Sequence, residues 1–226
     1  IDNYLYNLMS YYYIRNSDNY KAILDKSKEI LIDSGAHSFQ KGKRVDWERY
    51  TKEYADFIYK HDEEKILGYF EMDIDPAGYP YEYVLRLREI LMRKSNKIIP
   101  VWHKNRGIED FKDMCKNPIH KDRIVAITGF KNEDIKDEDY IWFVRYAHAH
   151  NCKIHCLGMT RRNILDKVPF DYVDSSSWKQ QSLHGKAGKI KVGRSFSKAK
   201  RHEVMYYSYL EGMKMQIEYY IKWRNY

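Results

Sequence analysis

The chain has 226 residues, enough for one domain with a sizeable core. Its 43% hydrophobic and 32% charged residues argue against a disordered or membrane-embedded protein, and no apolar run approaches the roughly 20 residues that a spanning helix requires. The excess of 40 Lys and Arg over 32 Asp and Glu, a net charge of +8, favours an anionic partner, nucleic acid foremost, because each neutralised phosphate releases counterions. Cys115, Cys152 and Cys156 are too few for a disulfide framework, and the tyrosine-rich start lacks the charged head and apolar core of a signal peptide. Free thiols in a cytoplasmic protein are therefore expected.

In chain order, short apolar runs alternate with amphipathic stretches. Strands are expected over Leu8–Ile14, Glu29–Asp33, Ile66–Met72, Lys97–Trp102, Arg123–Thr128, Lys153–Leu157 and Asp171–Asp174, with Lys189–Val192 as an eighth. Helices are expected between them. In Trp47–His61 the residues Trp47, Tyr50, Tyr54, Phe57 and Ile58 share a helical face, and Asp46 is placed to cap the first turn. Tyr81–Lys94 repeats the pattern with Tyr81, Val84, Leu85, Ile90 and Leu91, and Asp139–His150 follows it less regularly. The tyrosines of Leu8–Ile14 and Tyr206–Tyr220 read as packing residues. No repeat, low-complexity segment or linker divides the chain. Strand and helix alternating about eight times imply parallel strands with helical crossovers, hence an α/β fold. The closed form is a (β/α)8 TIM-type barrel, one domain over residues 1–226, with the basic segment from about residue 179 completing it. A doubly wound open sheet is the alternative.

In either architecture, polar residues at the C-terminal ends of strands line the active site. Those ends read Asp33-Ser34-Gly35-Ala36-His37, Glu71-Met72-Asp73-Ile74-Asp75-Pro76, Trp102-His103, Thr128-Gly129, Leu157-Gly158-Met159 and Asp174-Ser175-Ser176-Ser177-Trp178. Carboxylates gathered at one mouth can have their pKa values driven apart, so that one serves as nucleophile and another as acid. Glycines there let backbone approach a planar ligand. A single aspartate after a strand would more simply cap the next helix. The cluster His148, His150, Cys152, His155 and Cys156 does not suit a metal, because zinc needs four converging ligands and a strand would put His155 on the face opposite Cys152 and Cys156. The basic run Lys186, Lys189, Lys191, Arg194, Lys198, Lys200 and Arg201 follows Trp178 and contains Phe196. It reads either as a solvated face or as a surface that tracks phosphates.

The string Ile32-Asp33-Ser34-Gly35-Ala36-His37-Ser38-Phe39-Gln40 resembles the Asp-Ser-Gly-Gly-aromatic-Gln motif of the tRNA-guanine transglycosylases, and the later strand ends follow in that family's order, over about Leu8 to Trp178. The resemblance implies a barrel enzyme that exchanges guanine in a nucleic acid for a free 7-deazaguanine such as preQ0, using aspartates and no metal or organic cofactor. It makes Asp33 the general acid/base and Ser34 its base-contacting neighbour, and puts His37 where the family has an aromatic stacked on the base. Asp73, with Asp75 a close competitor, matches the carboxylate that reads the guanine donors, and His103 stands where the family places a base-recognising glutamine. Gly129 matches the glycine turn against the base carbonyl, Leu157 before Gly158 matches the apolar cover on the opposite face, and Asp174 matches the nucleophile. Trp178, Lys186, Lys189, Lys191 and Arg194 would hold the nucleic-acid backbone. The Cys-x-Cys-x-x-Cys zinc cluster of the tRNA members has no counterpart after Asp174. The zinc-free Asp-Ser-Ser-Ser-Trp ending is most similar to phage and bacterial enzymes that place 7-deazaguanines in DNA. That puts DNA ahead of tRNA and implies a phage-encoded protein acting in the host cytoplasm. A base-excising glycosylase on the same barrel and a catalytically silent nucleic-acid binder are the alternatives.

Overall fold

The computed structural model describes residues 5–17, 19–39, 45–129, 134–174, 186–187, 190–191 and 198–226. The strands are β1 (Leu5–Ser10), β2 (Ser27–Asp33), β3 (Ile66–Phe70), β4 (Ile98–Ile99), β5 (Val101–Trp102), β6 (Ile124–Thr128), β7 (Lys153–Leu157), β8 (Tyr172–Val173), β9 (Lys186–Ala187) and β10 (Ile190–Lys191). The helices are α1 (Tyr11–Ile14), α2 (Asn19–Lys26), α3 (Trp47–His61), α4 (Tyr81–Met92), α5 (Ile108–Lys116), α6 (Tyr140–Ala149), α7 (Arg162–Leu165) and α8 (Lys198–Trp223). β1 to β4 form one parallel sheet and β5 to β8 a second, each in sequence order. This is the mixed α/β fold that the alternation of patterns predicts. No helix among the described residues is long and apolar enough to cross a membrane.

The chain divides into two compact units, the first comprising the residues up to Thr128 with Arg145–His155, the second Gly129–Val144 with Cys156–Tyr226. In the first unit Ile30, Ile32, Ile66, Tyr69 and Ile98 from the sheet meet Tyr54, Ile58, Val84, Leu87 and Leu91 from α3 and α4 in one buried cluster. Helix α3 starts where expected because the Asp46 carboxylate accepts from the Arg49 N–H at 3.0 Å. The buried Tyr54 hydroxyl donates to the carbonyls of Ile32 (3.1 Å) and Phe70 (3.4 Å), so the helix is tied to the ends of β2 and β3 by polar bonds as well as by burial. In the second unit α8 lies along α7: Arg162 pairs with Glu218 at 2.8 Å, Tyr219 donates to Asp166 at 3.1 Å, and the Trp223 indole donates to the Leu165 carbonyl at 3.0 Å.

Several sequence expectations are corrected. The first strand occupies Leu5–Ser10, not Leu8–Ile14, and Tyr11–Ile14 is helical. Tyr11 and Ile14 are buried at a spacing of one helical turn while Tyr13 is exposed, a pattern that alternation along a strand cannot make. The expected strand Lys97–Trp102 is split at Pro100, which has no N–H to give to a ladder. Its first half serves β3, with the Glu71 N–H donating to the Ile99 carbonyl at 3.1 Å, and its second half serves β6, with the Ala126 N–H donating to the Pro100 carbonyl at 3.0 Å. Within the expected eighth strand, Lys189–Val192, Ile190–Lys191 are extended but pair antiparallel with β9 and not parallel as the barrel reading requires; Lys189 and Val192 lie outside the described residues. Tyr206, Tyr207 and Tyr220 on α8 are exposed, not packed, whereas Tyr219 is buried. Helices α2 and α5 lie between expected strands, where the alternation calls for helices without naming their residues.

Candidate functional site

The Asp-Ser-Gly turn leaves the end of β2, where Asp33 pairs in register with Ser10 of β1. Gly35 adopts a left-handed φ of +79°, and a Cβ at this position would stand 2.5 Å from the Tyr12 Cβ and 2.9 Å from its amide nitrogen. Only glycine allows this close approach of two backbones. The turn is held from inside. Asp33 accepts from the Gly35 N–H at 3.1 Å, Ser34 is buried, and its carbonyl accepts from the Tyr50 hydroxyl at 2.8 Å. Burial pushes the Tyr50 and Tyr54 phenols up, against Arg15 at Tyr50 and with the Asp33 charge adding to it at Tyr54, so both remain neutral donors. His37 lies on a short 3-10 turn, Ala36–Phe39, and is exposed.

Beyond β3 the chain brings two of the expected residues together. Asp73 and His103, both nearly buried, approach to 3.4 Å between Oδ2 and Nε2. Asp75 has a different environment. Arg106 forks onto it with two bonds of 2.7 Å, and Asn105 donates a third at 3.1 Å. The same Arg106 donates to Glu71 at 2.9 Å, and Glu71 also accepts from Arg88 and from the Val101 N–H at 2.8 Å. Burial alone would raise the Glu71 carboxyl, but Arg88 and Arg106 outweigh it and hold it at about 2. Asp75 is likewise held below its ordinary value by Arg106 against its burial. Tyr81 lies 4.4 Å from the Arg106 guanidinium and donates to Asp110 at 2.8 Å. Burial pushes Asp110 up.

In the second unit the Gly129 N–H donates to the Leu157 carbonyl at 2.7 Å, so this donor is already engaged. A Cβ on Gly129 would lie 3.0 Å from both Cys156 Sγ and Met159, so any side chain there would require these neighbours to shift. Leu157 is half-buried, and Gly158 turns at φ +72° to donate its N–H to Asp174 Oδ1 at 3.2 Å. Asp174 follows β8 directly, half-buried. Burial and the neighbouring Asp174 charge drive the Cys156 thiol well up. Trp178, Lys189 and Arg194 lie outside the described residues, and Lys186 and Lys191 face each other across the β9–β10 ribbon.

Comparison with protein-family models, curated proteins and solved structures finds no match. The arrangement therefore has to be read from its own chemistry. Among the described residues no three His, Cys, Asp or Glu side chains converge to hold a metal ion. The residues the sequence reading missed are Glu71, Arg88 and Arg106. A signal for two of them existed: Glu71 ends an apolar strand run, and Arg88 stands four residues after Val84 on the buried stripe of α4, so each charge required a partner.

Proposed function

We propose that this protein is a base-exchange transglycosylase that replaces guanine in a nucleic acid, DNA ahead of tRNA, by a 7-deazaguanine. The observation that carries the reading is the placement of polar side chains at or just beyond the C-terminal ends of parallel strands, Asp33 at the end of β2, Asp73 after β3, His103 after β5 and Asp174 after β8. Both sheets run in sequence order without the reversal that marks a doubly wound sheet, which supports a singly wound, barrel-type path.

The target nucleotide leaves its stack so that its anomeric carbon becomes accessible, at a cost of a few kcal/mol in a duplex. Asp174 attacks that carbon and the bond to guanine breaks, leaving an aspartyl ester with the sugar. Asp33 protonates the departing purine and then accepts a proton from the incoming base, which attacks the same carbon and releases Asp174. Two inversions give retention. Asp73, with His103 beside it, reads the donor edge of the base; Asp75, forked by Arg106, holds the loop and does not read. The basic residues near the C-terminus hold phosphates.

Denaturing the enzyme during reaction with a guanine-containing strand, with no second base present, is expected to trap a protein–nucleic acid ester at Asp174. The variant D174N traps none, while D33N slows guanine release by about 10²–10⁴-fold. Incorporation of labelled guanine reports exchange. Loss of guanine without incorporation would assign a glycosylase instead, and binding without either would assign a silent module.

A further inference from the structure

The three cysteines have no part in the proposed chemistry, yet two of them are held together by a device of their own. Cys115 sits in the last turn of α5 and Cys152 immediately before β7, 37 residues apart in sequence, and both are buried. The Cys152 Sγ donates to the Cys115 carbonyl at 3.2 Å, which brings the two residues into direct contact. Arg123 fixes the approach. Its guanidinium donates to the Cys115 carbonyl (3.5 Å) from one segment and to the His150 and Asn151 carbonyls (2.8 and 3.2 Å) from the other. Asn151 takes the left-handed φ of 55° common for asparagine just past a helix, whereas Arg123 takes φ 57°, which is uncommon for a long side chain. Arg123 thus clamps the backbone carbonyls of the Cys115 segment and of the segment leading into Cys152 beside the N-terminal ends of β6 and β7.

We propose that Cys115 and Cys152 form a peroxide-oxidisable dithiol that closes to an intramolecular disulfide. The Cys152 sulfur is the attacking one. The neighbouring Cys115, together with the Arg123 guanidinium, holds its thiol below the ordinary value against burial, whereas the Cys115 thiol is raised. The Cys152 thiolate attacks one oxygen of a hydroperoxide, the O–O bond breaks, and the leaving oxygen takes a proton to depart as water or an alcohol. Cys115 then attacks the sulfenic sulfur, the S–O bond breaks, and the Cys115 proton leaves with the hydroxyl as water. Two thiols are oxidised and one peroxide is reduced. Small peroxides suit a buried pair better than a bulky disulfide oxidant. Such a bond staples α5 to β7 at the end of the strands away from Asp73 and His103, and so stabilises the fold without touching the base-reading pair.

The test uses the whole native chain, treated with hydrogen peroxide and mapped by mass spectrometry without reduction. The expected result is one Cys115–Cys152 linkage, two hydrogens lighter, reversed by a dithiol reductant, with Cys156 still free. In C115S, dimedone labels Cys152 as a trapped sulfenic acid, whereas in C152S it leaves Cys115 unlabelled. The proposal is overturned if native wild-type protein keeps three free thiols under peroxide that oxidises free cysteine, if the sulfurs over-oxidise without linking, or if the linkage involves Cys156. The wild-type map needs no variant to fold, and it stands or falls independently of base exchange.

Discussion

Replacing Glu71 by Gln removes one charge from a buried group of four, Glu71, Asp75, Arg88 and Arg106. Its side chain is fully buried, as is that of Arg106, and it accepts from Arg88, Arg106 and the Val101 N–H. Gln keeps the volume and one acceptor, but it turns an N–H toward donors and leaves Arg88 with no carboxylate. Breaking a buried pair from one side costs about 3–5 kcal/mol. The carboxyl gives a second route to the magnitude. A shift from 4.5 to about 2 corresponds to about 3 kcal/mol of preference for the ionised form in the folded state. The two routes agree. Because the folded pKa is the lower one, this stabilisation is complete above about pH 4.5 and fades as the pH falls toward about 2. Urea unfolding followed by tryptophan fluorescence should place E71Q about 3 kcal/mol below wild type at pH 7, with the gap shrinking by pH 3. A gap under about 1 kcal/mol at pH 7, or one that does not shrink in acid, would refute the reasoning.

Three further changes test other parts of the structure. G35A is expected to lose about 2 kcal/mol or more, through left-handed strain and overlap with Tyr12, whereas G78A, also left-handed but open to solvent, should lose only about 1; equal thermal melts would deny the close approach. Y50F removes the donor to the Ser34 carbonyl and should cost about 1 kcal/mol in urea, most of it absent if that carbonyl finds water instead. His120 is buried and neutral, its Nε2 on the Leu67 carbonyl at 2.9 Å and its Nδ1 accepting from Asp122 N–H, and burial holds its pKa below the ordinary value. Its contribution is therefore present above about pH 6.5 and lost as the pH falls below that, so unfolding free energy should drop between pH 7.5 and 5.5. H120Q should flatten that drop, and an unchanged slope would assign it to other groups.

Much of the frame was legible in the sequence where local signals agree with tertiary ones. Lys153–Leu157 matches β7 to the residue because a left-handed Asn151 precedes it and a left-handed Gly158 follows it. Trp47–His61 matches α3 because an apolar stripe and a capping aspartate coincide. The tyrosine run at residues 11–13 misled, since tyrosine suits strand and helix alike and only the partner of each ring decides. The split at Pro100 could have been read from the proline itself. At the candidate site, the strand-end residues could be named but not their partners. Nothing local says that Arg106 takes Asp75 and leaves Asp73 to His103, or that Cys115 meets Cys152, because those choices depend on contacts 30 or more residues apart.

The split strand has a consequence for how this sequence can drift. At Pro100 the backbone ladder lapses, and the next amide, Val101 N–H, is taken by the Glu71 carboxylate, which Arg88 and Arg106 in turn neutralise. Here a side chain does what a peptide carbonyl does elsewhere, so this stretch of fold is written in residue identity and not in hydrophobic pattern. Losing Glu71 leaves Arg88 without a carboxylate, and losing Arg106 leaves Asp75 without its guanidinium, whereas hydrophobic neighbours such as Leu87 can be exchanged one at a time. Descendants of this chain should therefore keep positions 71, 88 and 106 together or change them together, and their covariation would mark this seam even where the surrounding sequence has become unrecognisable.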